Sequence, residues 1–343
     1  LGKEETAMTE MTGAKVKSSA VPRLVKRDRW RNVYRRKWFY VMMVPGIIYY
    51  ILFHYAPMAG ALIAFQKYNL MKGIWGSPWV GFDNFRVIFD SPEFLQIMRN
   101  TLLISIYKIV GSMVPDVILA LMLNEIRVRW FKRFVQTITY GPYFLSWVIV
   151  YGLVFSFLAP GSGLITNLVR DMGGGQIDLL TDQNFFRPLL VLTEIWKNTG
   201  FGAIIYLAAI ASINQELYEA AVVDRAGRWR QLWHVTLPGI RDVFVLMLII
   251  RVGGILDAGF DQVFIFLNAR VYDVGDIVDT WVYRYGFERL EFGVAAAMGV
   301  FKSVVGLIFV LGANRIAKKS RRFGDLVMNR REKEATTDVA GRS

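Results

Sequence analysis

Cysteine is absent from the 343 residues, and histidine occurs only as His54 and His234. The first absence excludes disulfides, thiolate nucleophiles and zinc–cysteine centres. The second leaves too few imidazoles, too far apart in sequence, for a histidine metal site. No G-x-x-x-x-G-K-[ST] pattern occurs, so the chain has no phosphate-binding loop of that kind for ATP. The glycine run RDMGGGQ (170–176) reads as a flexible turn and does not match it. Acidic residues are also scarce, 28 against 41 Lys and Arg, which leaves a net charge of +13. What is abundant is apolar: 54% hydrophobic, 14% aromatic and a mean hydropathy of +0.34, more than an ordinary soluble domain of this size carries.

Crossing a bilayer takes about 20 apolar residues at a rise of 1.5 Å each. Such runs lie at about 38–63, 102–124, 134–158, 188–212, 243–267 and 292–314. The pattern predicts an all-α integral membrane protein with six transmembrane helices. The third run is the cleanest, uncharged from Phe134 to Val169. Basic residues are unevenly shared among the connections. The segment to Lys37, Glu125–Arg133, Ile213–Arg241 and the tail from Arg315 hold 28 of them; the three intervening connections hold nine. The positive-inside rule puts the rich set, with both termini, in the cytoplasm. Anionic lipid then accounts for the basic excess, and no nucleic-acid partner is implied.

The expected organisation is a basic cytoplasmic segment at 1–37, a six-span domain at 38–314 with a cytoplasmic loop at 213–241, and a cytoplasmic tail at 315–343. The composition of that tail from Glu332 is that of a disordered chain. No small-residue cleavage site follows the first run, which reads as a retained signal anchor. Among the outer connections, QKYNLMKGIWGSPWVGFDNF (66–85) is an ordered loop by composition. It suits an interfacial aromatic anchor and a docking surface for a soluble partner equally well.

The most polar internal segment is ELYEAAVVDRAGRWRQLWHVTLPGI (216–240), between two apolar runs. Ser212 or Asn214 offers a helix N-cap, with Gln215 at capping-box spacing from Ser212. Glu216 and Glu219 sit near the helix N-terminus, where the macrodipole favours carboxylates. Ala220 and Ala221 leave one face narrow, and Pro238 breaks the pattern before the next span. These features predict a short helix of about 10 to 12 residues on the cytoplasmic face, with a return bearing Trp229 and Trp233. An acidic start is a poor match to anionic lipid. A protein groove is therefore favoured over the alternative, a helix floating at the headgroups.

The stretch EAAVVDRAGRWRQLWHVTLP resembles the cytoplasmic loop signature of binding-protein-dependent ABC importer permeases: E-A-A, a glycine four residues after the second alanine, and I-x-L-P ten residues beyond. Glu219, Ala220, Ala221, Leu237 and Pro238 fall at matching positions, with Val235 in place of isoleucine. Arg225 occupies the glycine position; Gly227, two residues on, would mark a displaced turn. IWKNTGFGAIIYLAAIASINQELYEAA (195–221) and FHYAPMAGALIAFQKYNLMKGIWGSPWVGF (53–82) are similar to the maltose-permease-like carbohydrate branch, above all to alginate importers. The similarity in organisation runs from about Arg31 to Phe323.

That resemblance implies the type I importer permease fold, a homologous second permease, two cytoplasmic ATPase subunits that bind ATP and Mg, and a solute-binding protein outside the cytoplasmic (inner) membrane. It implies no cofactor and no catalysis in this chain. It also makes the Glu219 helix, with Asp224 and Arg225, the coupling element to the ATPase, and acidic oligosaccharides such as those of alginate the cargo.

Charges inside apolar spans invite a functional reading. Lys108 and Asp116 lie near one face of the second span. Glu194 and Lys197 are spaced for an internal pair on the fourth. Arg251, Asp257 and Asp261 lie on the fifth and Lys302 on the sixth, and with Lys197 these four are candidates for the substrate pathway. Neither Arg251 nor Lys302 has an acid within one turn of its own helix, so each is a candidate contact for a sugar carboxylate. For a neutral sugar the candidates are Trp196, Asn198 and Tyr206. The charges could equally neutralise one another between helices. Ala295, Gly299 and Ser303, and Gly254 with Ala258, recur every four residues and predict close helix contacts. Two other classes compete. In an ion-gradient-driven transporter or channel, Asp257 and Asp261 would be the ion sites; broken spans in matching halves would mark one, and none is evident. A non-transporting membrane scaffold is the other.

Overall fold

The computed structural model describes residues 37–174 and 178–340, with side chains to Ile316. The basic segment 1–36, residues 175–177 and the last three residues lie outside the described residues, and the polar tail expected from Glu332 has no described side chains. Among the described residues the chain is helical, with one isolated antiparallel bridge, Gln66 to Trp79.

The chain divides after Met58. In the first unit, helix α1 (Lys37–Tyr50) runs on through a π-turn at Ile51–Tyr55 and has no buried residue. The second unit contains α2 (Asp83–Phe89), α3 (Phe94–Glu125), α4 (Arg129–Tyr140), α5 (Trp147–Leu158), α6 (Leu164–Asp171), α7 (Gln183–Ala211), α8 (Gln215–Val223), α9 (Leu237–Gly253), α10 (Phe260–Phe266), α11 (Val278–Tyr283) and α12 (Phe292–Ala340).

The centre of this unit is the pair α3 and α7. On α3 the buried residues Ile97, Thr101, Ile104, Lys108, Ser112, Asp116, Ala120 and Leu123 recur at three- and four-residue intervals, so one stripe faces the interior. On α7 the buried stripe is Phe186, Leu190, Thr193, Lys197, Gly200, Ala203, Tyr206 and Ile210. Much of this buried surface is polar, while the exposed side chains of α3, α4 and α5 include Val110, Ile118, Phe134 and Val148. An apolar exterior around a partly polar interior is the arrangement a bilayer imposes, since lipid solvates alkyl side chains and charges must find partners inside.

Among the described residues three helices are long and apolar enough to cross a membrane: Lys37–Phe65, Phe94–Glu125 and Phe292–Ile316. Two bent pairs raise the number to five by length and composition, Arg129–Phe144 with Trp147–Leu158 at 104° and Gln183–Ala211 with Gln215–Val223 at 68°. The third and fifth expected runs are thus not straight spans. The third breaks at Gly141–Ser146, where Pro142 sits in a 3-10 turn and Ser146 caps α5 by accepting the Ile149 amide at 3.3 Å. The fifth breaks between Gly253 and Phe260, where Gly259 takes φ +86°. Apolar composition measures transfer into lipid and does not register where the backbone turns.

Close approach falls only partly where expected: Ala258 and Ala295 are buried, and a Cβ on Gly286 would lie 3.2 Å from that of Ala295. A Cβ on Gly299 would meet nothing within 4 Å, and Gly254 lies in the break of the fifth run. Tight glycines between the long helices include Gly111 against Val191, Gly200 against the Thr139 backbone, Gly202 against the Asp116 carboxylate and Gly253 against Val310. They join α3 to α7, α7 to α4, and α9 to α12. The loop at 66–82 is ordered as expected: the Ser77 hydroxyl donates to the Gly73 carbonyl and accepts the Asn69 amide, and Asn84 donates to the carbonyls of Ala64 and Gln66.

Candidate functional site: a polar cavity and an exposed helix

Between two apolar clusters the α3–α7 pair opens into a cavity of about 350 Å³. Its lining includes Ser105, Lys108, Ser112, Glu194, Asn198, Arg251 and Asp257. Ile104, in one cluster, and Ala120, in the other, bracket the polar stretch of α3. Of the expected pathway residues, the structure brings Asn198, Arg251 and Asp257 together here, and adds Lys108 and Glu194.

The charge pairing differs from the sequence expectation. Arg251 donates to the Asp116 carboxylate at 2.7 Å and also to the Ser112 hydroxyl. Lys302 donates to Asp279 at 2.6 Å. Neither therefore awaits a sugar carboxylate for neutralisation. Their acids come from other helices, 135 residues away for Arg251 and 23 for Lys302. Glu194 and Lys197 do not pair with each other. Glu194 accepts from Asn198 at 2.6 Å, and Lys197 donates to the Tyr143 carbonyl at 2.7 Å, under the rings of Tyr143 and Trp147.

Lys197 thus secures the break of the third run, and Lys108 secures the break of the fifth by donating to the Ala258 carbonyl at 2.6 Å. Carbonyls freed at a helix break inside a membrane need donors from the protein, and a lysine on the neighbouring helix supplies one in each case. Tyr206 is buried in an apolar cluster, Trp196 is half exposed away from the cavity, and Asp261 is exposed at the start of α10. None of the three lines the cavity.

The polar loop builds the second feature. Asn214, and not Ser212, is the N-cap of α8, its side chain accepting the Glu216 amide at 3.1 Å; Ser212 ends α7. The helix has nine residues, slightly fewer than expected. It closes with a paired cap: the Ala226 amide donates to the Ala221 carbonyl at 2.8 Å and the Arg225 amide to the Val222 carbonyl at 3.0 Å. This geometry needs a left-handed residue, and Arg225 supplies it at φ 53°. The turn is therefore not displaced to Gly227, which is extended at φ −65°, ψ 167°.

Glu219, Ala220, Asp224 and Arg225 are exposed. Tyr218, hydrogen-bonded to Thr236 at 2.9 Å, ties the helix to the return. Leu237 packs on the apolar cluster around Ile240. Pro238 does not break the helix: it lies in the first turn of α9, where its missing N–H costs nothing, after a π-turn at Leu232–Thr236. A left-handed arginine costs about 1 kcal/mol relative to glycine. Arg225→Gly is accordingly expected to raise the stability of the purified protein by about that amount in thermal unfolding, while Gly227→Ala is neutral.

A helical membrane core around a polar cavity, with a capped helix held clear of it, defines a transport permease subunit. The chain belongs to the family "Binding-protein-dependent transport system inner membrane component", matched over residues 101–322. It is 45% identical to Protein LplB of Bacillus subtilis (strain 168), covering 83% of this chain and 90% of that one. It is 46% identical to the polygalacturonan/rhamnogalacturonan transport system permease protein YteP of the same organism, covering 83% and 89%. A chain in the crystal structure of a bacterial alginate ABC transporter, in complex with an alginate pentasaccharide-bound periplasmic protein, matches at TM-score 0.78 and 37% identity, over 85% of this chain and 97% of that one. The fold is that of type I ABC importer permeases, as the loop residues led us to expect.

Proposed function

We propose that this chain is the permease subunit of an importer that carries acidic oligosaccharides, such as those of alginate, inward by alternating access. It crosses the bacterial cytoplasmic membrane six times with both termini in the cytoplasm, and pairs with a homologous second permease. Two cytoplasmic ATPases bind ATP and Mg and drive it, a solute-binding protein delivers cargo outside, and the chain itself catalyses no reaction. The exposed helix Gln215–Val223 carries this reading. Capped at both ends and tied to α9 through Tyr218 and Thr236, it can pass a rigid-body push from an ATPase cleft into the spans. The cargo reading draws support from the relatives, since polygalacturonan and alginate are both chains of uronic acids with one carboxylate per sugar.

The ion-gradient alternative loses its basis in this family. The third and fifth runs are broken, but Asp261 is exposed and Asp257 shares its cavity with Lys108 and Arg251. In vesicles holding the complete transporter, Glu219→Ala is expected to lower uptake and binding-protein-stimulated ATP hydrolysis at least about fivefold, the scale of a typical coupling energy. The melting temperature should stay unchanged because the side chain is exposed. Uptake at the unsubstituted rate would overturn the coupling role.

A further inference from the structure

The two lysines that hold the broken spans differ in one respect. Lys197 is capped by two aromatic rings and lies outside the cavity. Lys108 is 8% exposed, lines the cavity, and uses one of its three donors on the Ala258 carbonyl. The cavity's other cation, Arg251, is paired with Asp116. Neither Glu194 nor Asp257, the acids of the cavity lining, forms an ion pair with Lys108 among the described residues. One turn before Lys108 on the same face, Ser105 is 3% exposed, lines the same cavity, and its hydroxyl has no hydrogen-bond partner.

A buried ammonium with no carboxylate bonded to it, one turn from a buried hydroxyl that lacks any partner, is costly unless something else completes it. We propose that Lys108 and Ser105 form a carboxylate-binding subsite of the transport cavity, taking one uronate carboxylate of the passing oligosaccharide. The ammonium donates to one carboxylate oxygen and the serine hydroxyl to the other. Glu194 and Asp257 also line the cavity and oppose a lasting hold on an anion, so the carboxylate is held in passing and released. This assignment rests on the acidic-oligosaccharide reading above and names the residues that would read the charge.

The test uses the complete transporter in vesicles, with labelled oligouronide and an analogue in which one carboxylate is reduced to the alcohol. Lys108→Met is expected to raise KM for the oligouronide at least tenfold and to abolish any preference over the analogue. Lys108→Arg should retain that preference, and Ser105→Ala should raise KM severalfold. Lys197→Met is the control for a purely structural lysine: it should lower the melting temperature and the uptake rate without changing the preference. An unchanged KM in Lys108→Met would overturn the subsite, as would a loss that matches Lys197→Met in falling on rate and stability alone. If the unsubstituted complex hydrolyses ATP on stimulation but takes up no oligouronide, the cargo reading itself fails, and the subsite with it.

Discussion

Replacing Arg251 with methionine is expected to destabilise the assembled permease by about 3–5 kcal/mol, the usual cost of leaving one member of a buried pair without its partner. It should depress uptake of charged and uncharged cargo alike. Asp116 is 1% exposed; one of its carboxylate oxygens is held by Arg251 and the other has no hydrogen-bond partner. Without the guanidinium the carboxylate has no counterion within reach, and the α7 backbone at Gly202 leaves it no room to turn away. Combining Arg251→Met with Asp116→Leu removes both charges and should recover much of the lost stability, so the two substitutions are strongly non-additive. Melting temperatures of the four purified complexes measure this directly. If Arg251→Met melts normally and loses only charged cargo, the arginine is a ligand contact and the pairing with Asp116 is not what keeps it.

Gly200→Ala is expected to be the most damaging single-methyl change in the described bundle. The added Cβ would overlap the Thr139 carbonyl and the next peptide, which are backbone atoms of α4 that cannot swing aside. Overpacking of this kind costs about 1–3 kcal/mol or more, and here it would also push apart α7 and the bent segment that Lys197 secures. Gly299→Ala, on the small-residue stripe of α12 that the sequence favours as a contact, adds its methyl to open space and should change the melting temperature little. Comparing the two in the purified complex separates real close contacts from periodic small residues. Equal melting temperatures would show that α7 and α4 are not packed as closely as described.

The capped helix α8 was more legible than the cavity because its determinants are local. Caps, early carboxylates, alanines and the L-P return all act within a few residues of one another, so their spacing in sequence is their spacing in space. The cap at Arg225 escaped even so, because arginine carries no sign of positive φ; only the paired hydrogen bonds to Ala221 and Val222 reveal it. The ionic partners were hidden for a different reason. A search within one helical turn finds no acid for Arg251 or Lys302, yet Asp116 and Asp279 reach them from separate helices. Asp279 lies between the fifth and sixth apolar runs, and α11 brings it against α12. Glu194 and Lys197 show the converse, since a spacing that permits a pair does not make one when Asn198 and the Tyr143 carbonyl are nearer in space.

By itself the sequence determined that the chain is an apolar helical protein of the membrane, without thiol or zinc–cysteine chemistry, carrying one polar loop fit for a partner. Those properties follow from composition and from interactions a few residues long. Tertiary structure alone decided which spans break, which glycines are close contacts, which charges neutralise one another, and that Lys108 and Ser105 face a shared cavity with bonding capacity to spare. A buried charge chooses its partner by distance through space, and in a bundle the nearest carboxylate or carbonyl belongs to another helix, more than a hundred residues away along the chain for Lys108 and Arg251.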